Sequence, residues 1–246
     1  MSTCPRLYID AELTINSSIS LDERHRHHLL NVLRLKTGTD IVLFNDKGGE
    51  YTATLQISGK RADAHIHRFN DTHRESPLDL HLVQAVSRGD RMDFTLQKAV
   101  ELGVNKITPV FSERSIRKPD DKQLSKKFNH WKGIVISACE QSGRCKLPIL
   151  NPPVDFTEWL AARYNSNVHR FILDPAAAEN FKPEGLTSIA LMIGPEGGFS
   201  DKEIEYAISK GWTSVTLGPR ILRTETAGIV AVTVCQALSG DLLGNF

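Results

Sequence analysis

Two short stretches near the C-terminal end place charged side chains beside glycines, where a strand passes into a helix. The first is IGPEGGFSDKE, residues 193–203, with Glu196 in the bend, and the second is LGPRILRTETA, residues 217–227. Carboxylates can accept protons and arginines can stabilise negative charge, so this combination fits acid–base chemistry on a bound substrate. Adjacent glycines also let the backbone approach a ligand closely. We therefore predict that both bends belong to one binding site.

Each bend taken alone has a plainer explanation. A tight strand-to-helix turn without a ligand would account for Gly197 and Gly198, and the chain contains no glycine-rich phosphate-loop pattern. A surface salt bridge would account for any single charged residue. However, Arg220, Arg223 and Glu225 precede the strongly apolar segment AGIVAVTVCQAL, so these charges gather at one protruding end. The joint placement of the two bends favours a functional site.

The segments that carry the bends read as an α/β domain. From Leu78 onward apolar strands alternate with helices, and the predicted helices span residues 90–102, 121–142, 200–210 and 224–239. This alternation is typical of a largely parallel sheet. Both bends follow strands, and ligands bind at the carboxyl ends of the strands in open α/β sheets. The strand order should therefore bring the two bends together.

The first seventy residues predict a small β-rich module interrupted by one helix. Ser20 and Glu23 have the spacing of a capping box, and Leu29, Val32 and Leu33 then form an apolar stripe at helical spacing. The segments DIVLFND, GEYTATLQIS and ADAHIHRF alternate apolar and polar residues and are separated by glycine-containing turns. This pattern indicates the strands of a small barrel.

The length and composition fit two globular domains. The chain has 246 residues, of which 40% are hydrophobic and 24% charged, and the polar stretch NDTHRESP at residues 70–77 marks a boundary. We predict a β-barrel domain in residues 1–73 and an α/β domain in residues 74–246. The N-terminus lacks the apolar core of a signal peptide and no apolar run approaches eighteen residues. A cytoplasmic protein without a membrane partner is expected.

The charges and the possible metal ligands are unevenly distributed. The net charge is +1, yet residues 87–146 hold thirteen Lys and Arg against seven Asp and Glu, whereas residues 147–246 hold seven against eleven. Either a solvated face or a phosphate-contacting stripe explains the basic segment.

The four cysteines are scattered, and six of the nine histidines lie in the first 73 residues without a recognised zinc spacing. No metal site is predicted.

The motifs also resemble those of a known family. GPEGGF followed by LGPRILRTETA near the C-terminus resembles the signature of the RsmE-type 16S ribosomal RNA uridine N3-methyltransferases of the SPOUT class. FSERS at residues 111–115 and ACEQSGR at residues 138–144 fit the same pattern, so the resemblance covers essentially the whole chain. It implies a SPOUT-type trefoil-knotted α/β domain with a largely parallel sheet, preceded by a PUA-like β-barrel that binds RNA.

The resemblance implies a cofactor and partners as well. S-adenosylmethionine would bind without a metal, held largely by the backbone of the two bends. The implied partners are 16S ribosomal RNA of the small ribosomal subunit and a second copy of the chain in a homodimer. The candidate cofactor-binding residues are Ile193, Gly194, Glu196, Gly197, Gly198, Leu217, Gly218, Ile221, Leu222 and Arg223. The candidate RNA-binding residues of the basic segment are Arg88, Arg91, Lys126 and Lys127.

Methylation of uridine N3 has a defined chemical requirement. N3 carries a proton, so a base must remove it, and a cation must stabilise the charge that spreads to O2 and O4. The candidate catalytic residues are Arg114, Arg223 and Glu225, with Glu196 as an alternative base. Two alternatives stay open at this point. One is a methyltransferase of the same fold that acts on another base or a ribose, and the other is a non-catalytic RNA-binding protein of ribosome assembly.

Overall fold

The computed structural model describes residues 4–161 and 167–244. The strands are β1 (Arg6–Tyr8), β2 (Ser18–Ser20), β3 (Asp40–Phe44), β4 (Glu50–Ser58), β5 (Arg61–Asn70), β6 (Asp79–Ala85), β7 (Lys106–Phe111), β8 (Ile149–Leu150), β9 (Val154–Asp155), β10 (His169–Leu173), β11 (Ser188–Ile193) and β12 (Thr213–Val215). The α-helices are α1 (Glu23–His27), α2 (Asp90–Glu101), α3 (Asp121–Ser142), α4 (Phe156–Ala161), α5 (Asp201–Ser209) and α6 (Thr224–Ser239), and a π-helical segment spans His28–Val32.

The chain divides into two compact units. The first unit comprises Met1–Glu75 and Cys139–Leu147, and the second comprises Ser76–Ala138 and Pro148–Phe246. In the first unit, five strands form a sheet in the order β1-β3-β4-β5-β2, with β1 and β3 parallel and the other pairs antiparallel. Alternate side chains of the three predicted strands fill its core, among them Ile41, Leu43, Leu55 and Ile66.

The start of α1 differs from the sequence prediction. Asp22, and not Ser20, caps the helix, because the Asp22 carboxylate accepts a hydrogen bond from the His25 N–H at 2.8 Å. Ser20 instead belongs to β2, where it pairs with Asp63 of β5. The predicted capping box of Ser20 and Glu23 is therefore wrong.

The apolar stripe after α1 is partly wrong. Leu29 is fully buried, but the side chains of Val32 and Leu33 are 58% and 40% exposed. The Leu33 N–H donates to the His28 carbonyl at 2.9 Å, five residues back. Because this π-type spacing rotates the following side chains off the 3.6-residue period, helical periodicity gives the wrong face.

Residues Cys139–Leu147 pack as part of the first unit, which the sequence did not indicate. The Glu75 carboxylate accepts hydrogen bonds from the Arg144 guanidinium at 2.7 and 2.9 Å and from the N–H groups of Cys145 and Lys146 at 3.1 Å. These contacts join positions 69 to 71 residues apart. Contacts at that separation leave no local pattern in a sequence, so a contiguous division at residue 73 could not include the segment.

The second unit is built on a parallel sheet. Its strands follow the order β12-β10-β11-β6-β7-β8, β9 also pairs with β7, and every described pair is parallel. Five of the six residues of β11 are buried, as expected of a strand covered on both faces. Helix α6 packs against α2, β6 and β11. The predicted α/β fold with a largely parallel sheet is confirmed.

The strand order determines where a ligand can bind. The chain runs from β6 to β7 on one side of the sheet, then returns to β10, so that β11 lies between β6 and β10. Such a reversal leaves a crevice at the carboxyl ends of the strands. The ends of β10, β11 and β12 therefore meet at one edge. No helix within residues 4–161 and 167–244 has both the length and the apolarity needed to cross a membrane.

Candidate active site at the ends of three parallel strands

A pocket opens where β10, β11 and β12 end. Its cavity volume is about 120 Å³. Each of the three strands contributes its last residue and part of the loop that follows, and α6 contributes two residues. The wall is formed by Leu173, Asp174 and Pro175 at the end of β10, by Ile193, Gly194, Pro195, Glu196 and Gly198 at the end of β11, by Val215, Thr216, Leu217, Arg220, Ile221 and Leu222 at the end of β12, and by Thr224 and Ala227 of α6. The pocket thus joins the two bends, as the sequence predicts.

The first bend is folded tightly back on itself. A Cβ placed on Gly194 would lie 3.2 Å from the Cα and carbonyl carbon of Gly198 and from the backbone nitrogen of Phe199. The Gly198 N–H donates to the Pro195 carbonyl at 2.9 Å, and Gly198 has a φ of +69°. A side chain at residue 194 would therefore push the two arms of the bend apart, and one at residue 198 would strain the backbone.

Two carboxylates, Glu196 of the pocket wall and Glu225 of α6, share one arginine. The Glu196 carboxylate accepts hydrogen bonds from the Arg88 N–H at 2.9 Å and from the Arg91 guanidinium at 2.8 Å. Another guanidinium nitrogen of Arg91 lies 3.9 Å from the Glu225 carboxylate. Arg91 therefore bridges the first bend and the start of α6.

The environment of Glu196 favours its ionised form. Partial burial alone would raise the pKa of Glu196, but hydrogen bonds from the N–H of Arg88, from its own N–H and from Arg91, together with the charge of Arg91, lower the pKa below its ordinary value. Glu196 is consequently a weak proton acceptor at neutral pH. Its contacts suit a group that fixes the bend.

Glu225 has a different environment. Its side chain is 15% exposed, in the first turn of α6. One carboxylate oxygen faces Arg91, whereas the other, Oε2, is buried and has no hydrogen-bond partner in the part of the chain that the structure describes. Such a buried acceptor without a donor calls for an explanation. Glu225 lies next to Thr224 of the pocket wall but does not itself line the pocket.

The two candidate catalytic arginines, Arg114 and Arg223, have different positions. The Arg114 guanidinium donates to the carbonyls of Gly197 at 3.0 Å and Phe199 at 3.3 Å, so it braces the bend from outside. Arg223 is the N-cap residue of α6, with an extended backbone, between the pocket-lining residues Leu222 and Thr224. The structure brings Arg223 and Glu225 together at the start of one helix.

The structure places most of the candidate cofactor residues in the pocket wall. Seven of the ten line it, but Gly197, Gly218 and Arg223 do not. Gly197 faces Arg114, and Gly218, at a φ of +97°, accepts a hydrogen bond from the Thr216 hydroxyl. The wall after β10, residues 173–175, was missed. Its only signal was the Asp-Pro turn that ends the apolar segment HRFILDP.

The four candidate RNA-binding residues fall in two places. Arg88 and Arg91 contact Glu196 beside the pocket. Lys126 and Lys127 lie on α3, where the Lys127 ammonium is 5.6 Å from the ring centroid of the buried Trp131. Within the described residues, no group of three or more His, Cys, Asp or Glu side chains is placed to hold a metal ion.

Comparison with known proteins assigns the family. A family model described as an RNA methyltransferase domain matches residues 74–236, and one described as an RNA methyltransferase PUA domain matches residues 21–66. A ribosomal RNA small subunit methyltransferase E from Buchnera aphidicola (subsp. Schizaphis graminum) is 40% identical over 97% of this chain and 98% of its own length. The chain belongs to this methyltransferase family. The resemblance drawn from the two bends is thereby confirmed.

Two solved structures are similar to this chain over nearly its whole length. A ribosomal RNA small subunit methyltransferase E from Neisseria gonorrhoeae, bound to S-adenosyl methionine, has a TM-score of 0.89 and 42% identity, covering 97% of this chain and 99% of that one. A putative methyltransferase from Legionella pneumophila, also bound to this cofactor, has a TM-score of 0.92 and 39% identity with the same coverage. The SPOUT-type fold and the PUA-like N-terminal domain are confirmed.

Proposed function

We propose that this chain transfers a methyl group from S-adenosylmethionine to N3 of a uridine in 16S ribosomal RNA. The observation that carries the proposal is the pocket formed by both glycine bends at the ends of β10, β11 and β12. The family match and the cofactor-bound relatives support the choice of cofactor and of a ribosomal RNA substrate. The choice of uridine N3 rests on the resemblance of the two bend motifs.

The residues of the pocket fit this cofactor. Leu173, Ile193, Leu217 and Leu222 supply apolar surface for a flat ring system, and the glycine at residue 194 lets backbone groups line the wall. When bound, S-adenosylmethionine supplies an electrophilic methyl group on a sulfonium. We assign the holding of this group to the seven candidate residues that line the pocket, with Glu196 fixing the bend through Arg88 and Arg91.

The charged residues at the start of α6 fit the remaining chemistry. We assign Glu225 as the base that accepts the N3 proton, because its Oε2 has no donor within the described chain, whereas Glu196 has a lowered pKa. Arg223 stabilises the charge that develops on O2 and O4 of the base. Arg114 contributes by bracing the carbonyls of Gly197 and Phe199.

The proposal includes a homodimer and a trefoil knot. Ile221 lines the pocket and is 85% exposed, and such an apolar side chain at the mouth of a site suits coverage by a second copy. The convergence of three successive strand ends on one pocket supports the knotted arrangement that the family resemblance implies. Because the proposed substrate belongs to the small ribosomal subunit, we place the reaction in the cytoplasm.

The domain roles are also part of the proposal. We assign RNA binding to residues 1–73, together with Arg88, Arg91, Lys126 and Lys127, and methyl transfer to residues 74–246. The match of residues 21–66 to an RNA methyltransferase PUA domain supports this division. A methyltransferase acting on another base or a ribose would use the same pocket, so only the product distinguishes it. A non-catalytic RNA-binding protein would not require an intact cofactor pocket.

Cofactor binding is expected to be independent of metal. Calorimetric titration with S-adenosylmethionine after exhaustive chelation should give the same affinity as titration of the untreated protein, because the described residues hold no group of three or more side chains placed to bind a metal ion. Added Mg²⁺ or Zn²⁺ should leave the affinity for S-adenosylmethionine unchanged. A loss of binding that a divalent ion restores would contradict this assignment, and no binding in either sample would favour the non-catalytic alternative.

RNA binding is expected to weaken steeply with salt, because lysines that neutralise phosphates release counterions. Lys126→Ala should lower the slope of log affinity against log salt by about one, with little dependence on RNA sequence. Lys210→Ala, at the end of α5, is the matched control, since Lys210 packs over the Tyr206 ring outside the basic segment. Equal slopes for the wild type and Lys126→Ala would remove Lys126 from the RNA-binding surface.

A further inference from the structure

A glutamine is buried next to the pocket, at the end of a central strand. Gln84 is the penultimate residue of β6, it is fully buried, and its neighbours Val83 and Ala85 are buried apolar residues. An amide removed from water requires hydrogen-bond partners within the protein. Its contacts therefore indicate what the side chain does.

The Gln84 side chain connects β6 to the first bend through one intermediate. Its Nε2 donates to the Thr224 hydroxyl oxygen at 3.1 Å and to the Ala85 carbonyl at 3.1 Å. The Thr224 hydroxyl in turn donates to the Gly194 carbonyl at 2.5 Å. Since the hydroxyl has a single proton and gives it to Gly194, it must accept from Gln84, which fixes the orientation of the Gln84 amide.

The Gly194 carbonyl is the hydrogen-bonding group of the peptide that joins Gly194 to Pro195. The residue that follows is Pro195, which has no N–H, so the peptide between them offers only its carbonyl for hydrogen bonding. Thr224 and Gly194 both line the pocket. The chain of hydrogen bonds from Gln84 through Thr224 therefore ends on the pocket wall.

The stability of the fold does not account for a glutamine at this position. Gln84 Oε1 is buried and has no hydrogen-bond partner among the described residues. It lies beside Gly228 of α6, where an added Cβ would be 3.4 Å from it. A buried carbonyl without a donor destabilises a protein relative to an apolar side chain of the same shape.

We propose that Gln84 is a positioning residue that acts through Thr224 to set the Gly194 carbonyl, and so the shape of the cofactor pocket. The expected effect on the affinity for S-adenosylmethionine rests on the proposed function. It adds a residue from β6 to a site otherwise built from β10, β11, β12 and α6. Gln84 itself does not line the pocket.

The test compares two Gln→Met variants of the full-length protein. Gln84→Met conserves volume but removes both hydrogen bonds. The control is Gln236→Met. Gln236 is also a buried glutamine of the second unit and also has one amide atom without a hydrogen-bond partner among the described residues. It lies toward the other end of α6, however, where its Oε1 accepts a hydrogen bond from the Ser76 hydroxyl at 2.7 Å. Three quantities are measured for each: the thermal midpoint, deuterium exchange of the peptide covering residues 193–199, and calorimetric affinity for S-adenosylmethionine.

Gln84→Met should speed exchange in residues 193–199 of the cofactor-free protein and raise the dissociation constant about three- to tenfold, the range of one net hydrogen bond. Its thermal midpoint should stay equal or rise. Gln236→Met should alter neither exchange in the bend nor affinity. Gln84→Met should have no further effect on affinity in a Thr224→Val background, because the hydroxyl through which Gln84 acts is then absent.

Unchanged exchange and affinity in Gln84→Met would overturn the proposal. So would a loss of affinity matched by a lower thermal midpoint and shared by Gln236→Met, since that pattern is general destabilisation. If the wild-type protein binds no S-adenosylmethionine, the proposed function fails. Exchange in residues 193–199 of the cofactor-free variants then decides alone whether Gln84 holds the bend.

Discussion

Glu225→Gln should lower the rate of methyl transfer by about 100- to 10,000-fold at neutral pH, the typical contribution of a general base. The affinity for S-adenosylmethionine should change no more than a few-fold, because the substitution removes a proton acceptor and keeps the shape of the side chain. The measurement is single-turnover transfer of a labelled methyl group to 16S ribosomal RNA. Glu205→Gln is the matched control, on the exposed surface of α5.

The pH dependence separates the base from the charge-stabilising arginine. Raising the pH increases the fraction of uridine already ionised at N3, so it should restore the rate of Glu225→Gln more than that of Arg223→Ala. Arg223→Ala should be slow at every pH, because it lacks a cation to stabilise the ionised base. If Glu225→Gln keeps more than about a tenth of the wild-type rate at neutral pH, Glu225 is not the base. Glu196→Gln would then be measured in the same assay.

Gly194→Ala should weaken binding of S-adenosylmethionine by about 10- to 100-fold. The added Cβ would lie 3.2 Å from three backbone atoms of Gly198 and Phe199, so the arms of the bend must open. Overpacking of this kind typically costs ~1–3 kcal/mol. Calorimetric titration measures the loss. A wild-type affinity in Gly194→Ala would show that the cofactor does not depend on this bend.

Gly133→Ala provides the control for the glycine substitution. Gly133 lies inside α3, and a Cβ there would meet no atom within 4 Å. Alanine should therefore raise the free energy of unfolding by up to about 1 kcal/mol through helix propensity and leave cofactor affinity unchanged. Gly198→Val is a less selective test of the pocket, because its φ of +69° would strain any branched residue and lower the stability as well.

The sequence predicts the helices that begin with a recognisable cap or contain a long apolar segment. Helix α6 begins at Thr224 and ends at Ser239 as expected, and α5 begins after Ser200, whose capping box with Glu203 is present. The short strands β1 and β2 were missed, since three residues are too few for a period-two pattern. The sequence indicates a cap at Ser20 because the pairing of Ser20 with β5 leaves no local pattern.

The candidate site was predictable where it is continuous in sequence, and not where it depends on long-range contacts. Both bends were found, because glycines and charges at strand ends leave a local pattern. The pairing of Arg91 with Glu196, 105 positions apart, leaves none, so Arg91 was considered only as an RNA contact. Likewise, no property of the segment around Gln84 indicates that its amide reaches Thr224, 140 positions away.

Methylated nucleosides in 16S ribosomal RNA test the central claim most directly. Small ribosomal subunits and free 16S ribosomal RNA from cells lacking this protein would be incubated with the purified protein and S-adenosylmethionine carrying a labelled methyl group, then digested and analysed by mass spectrometry. We expect label in 3-methyluridine alone, formed at least about 100-fold more slowly with Glu225→Gln. Label in another base or a ribose, or no label in RNA while the protein binds S-adenosylmethionine, would contradict it.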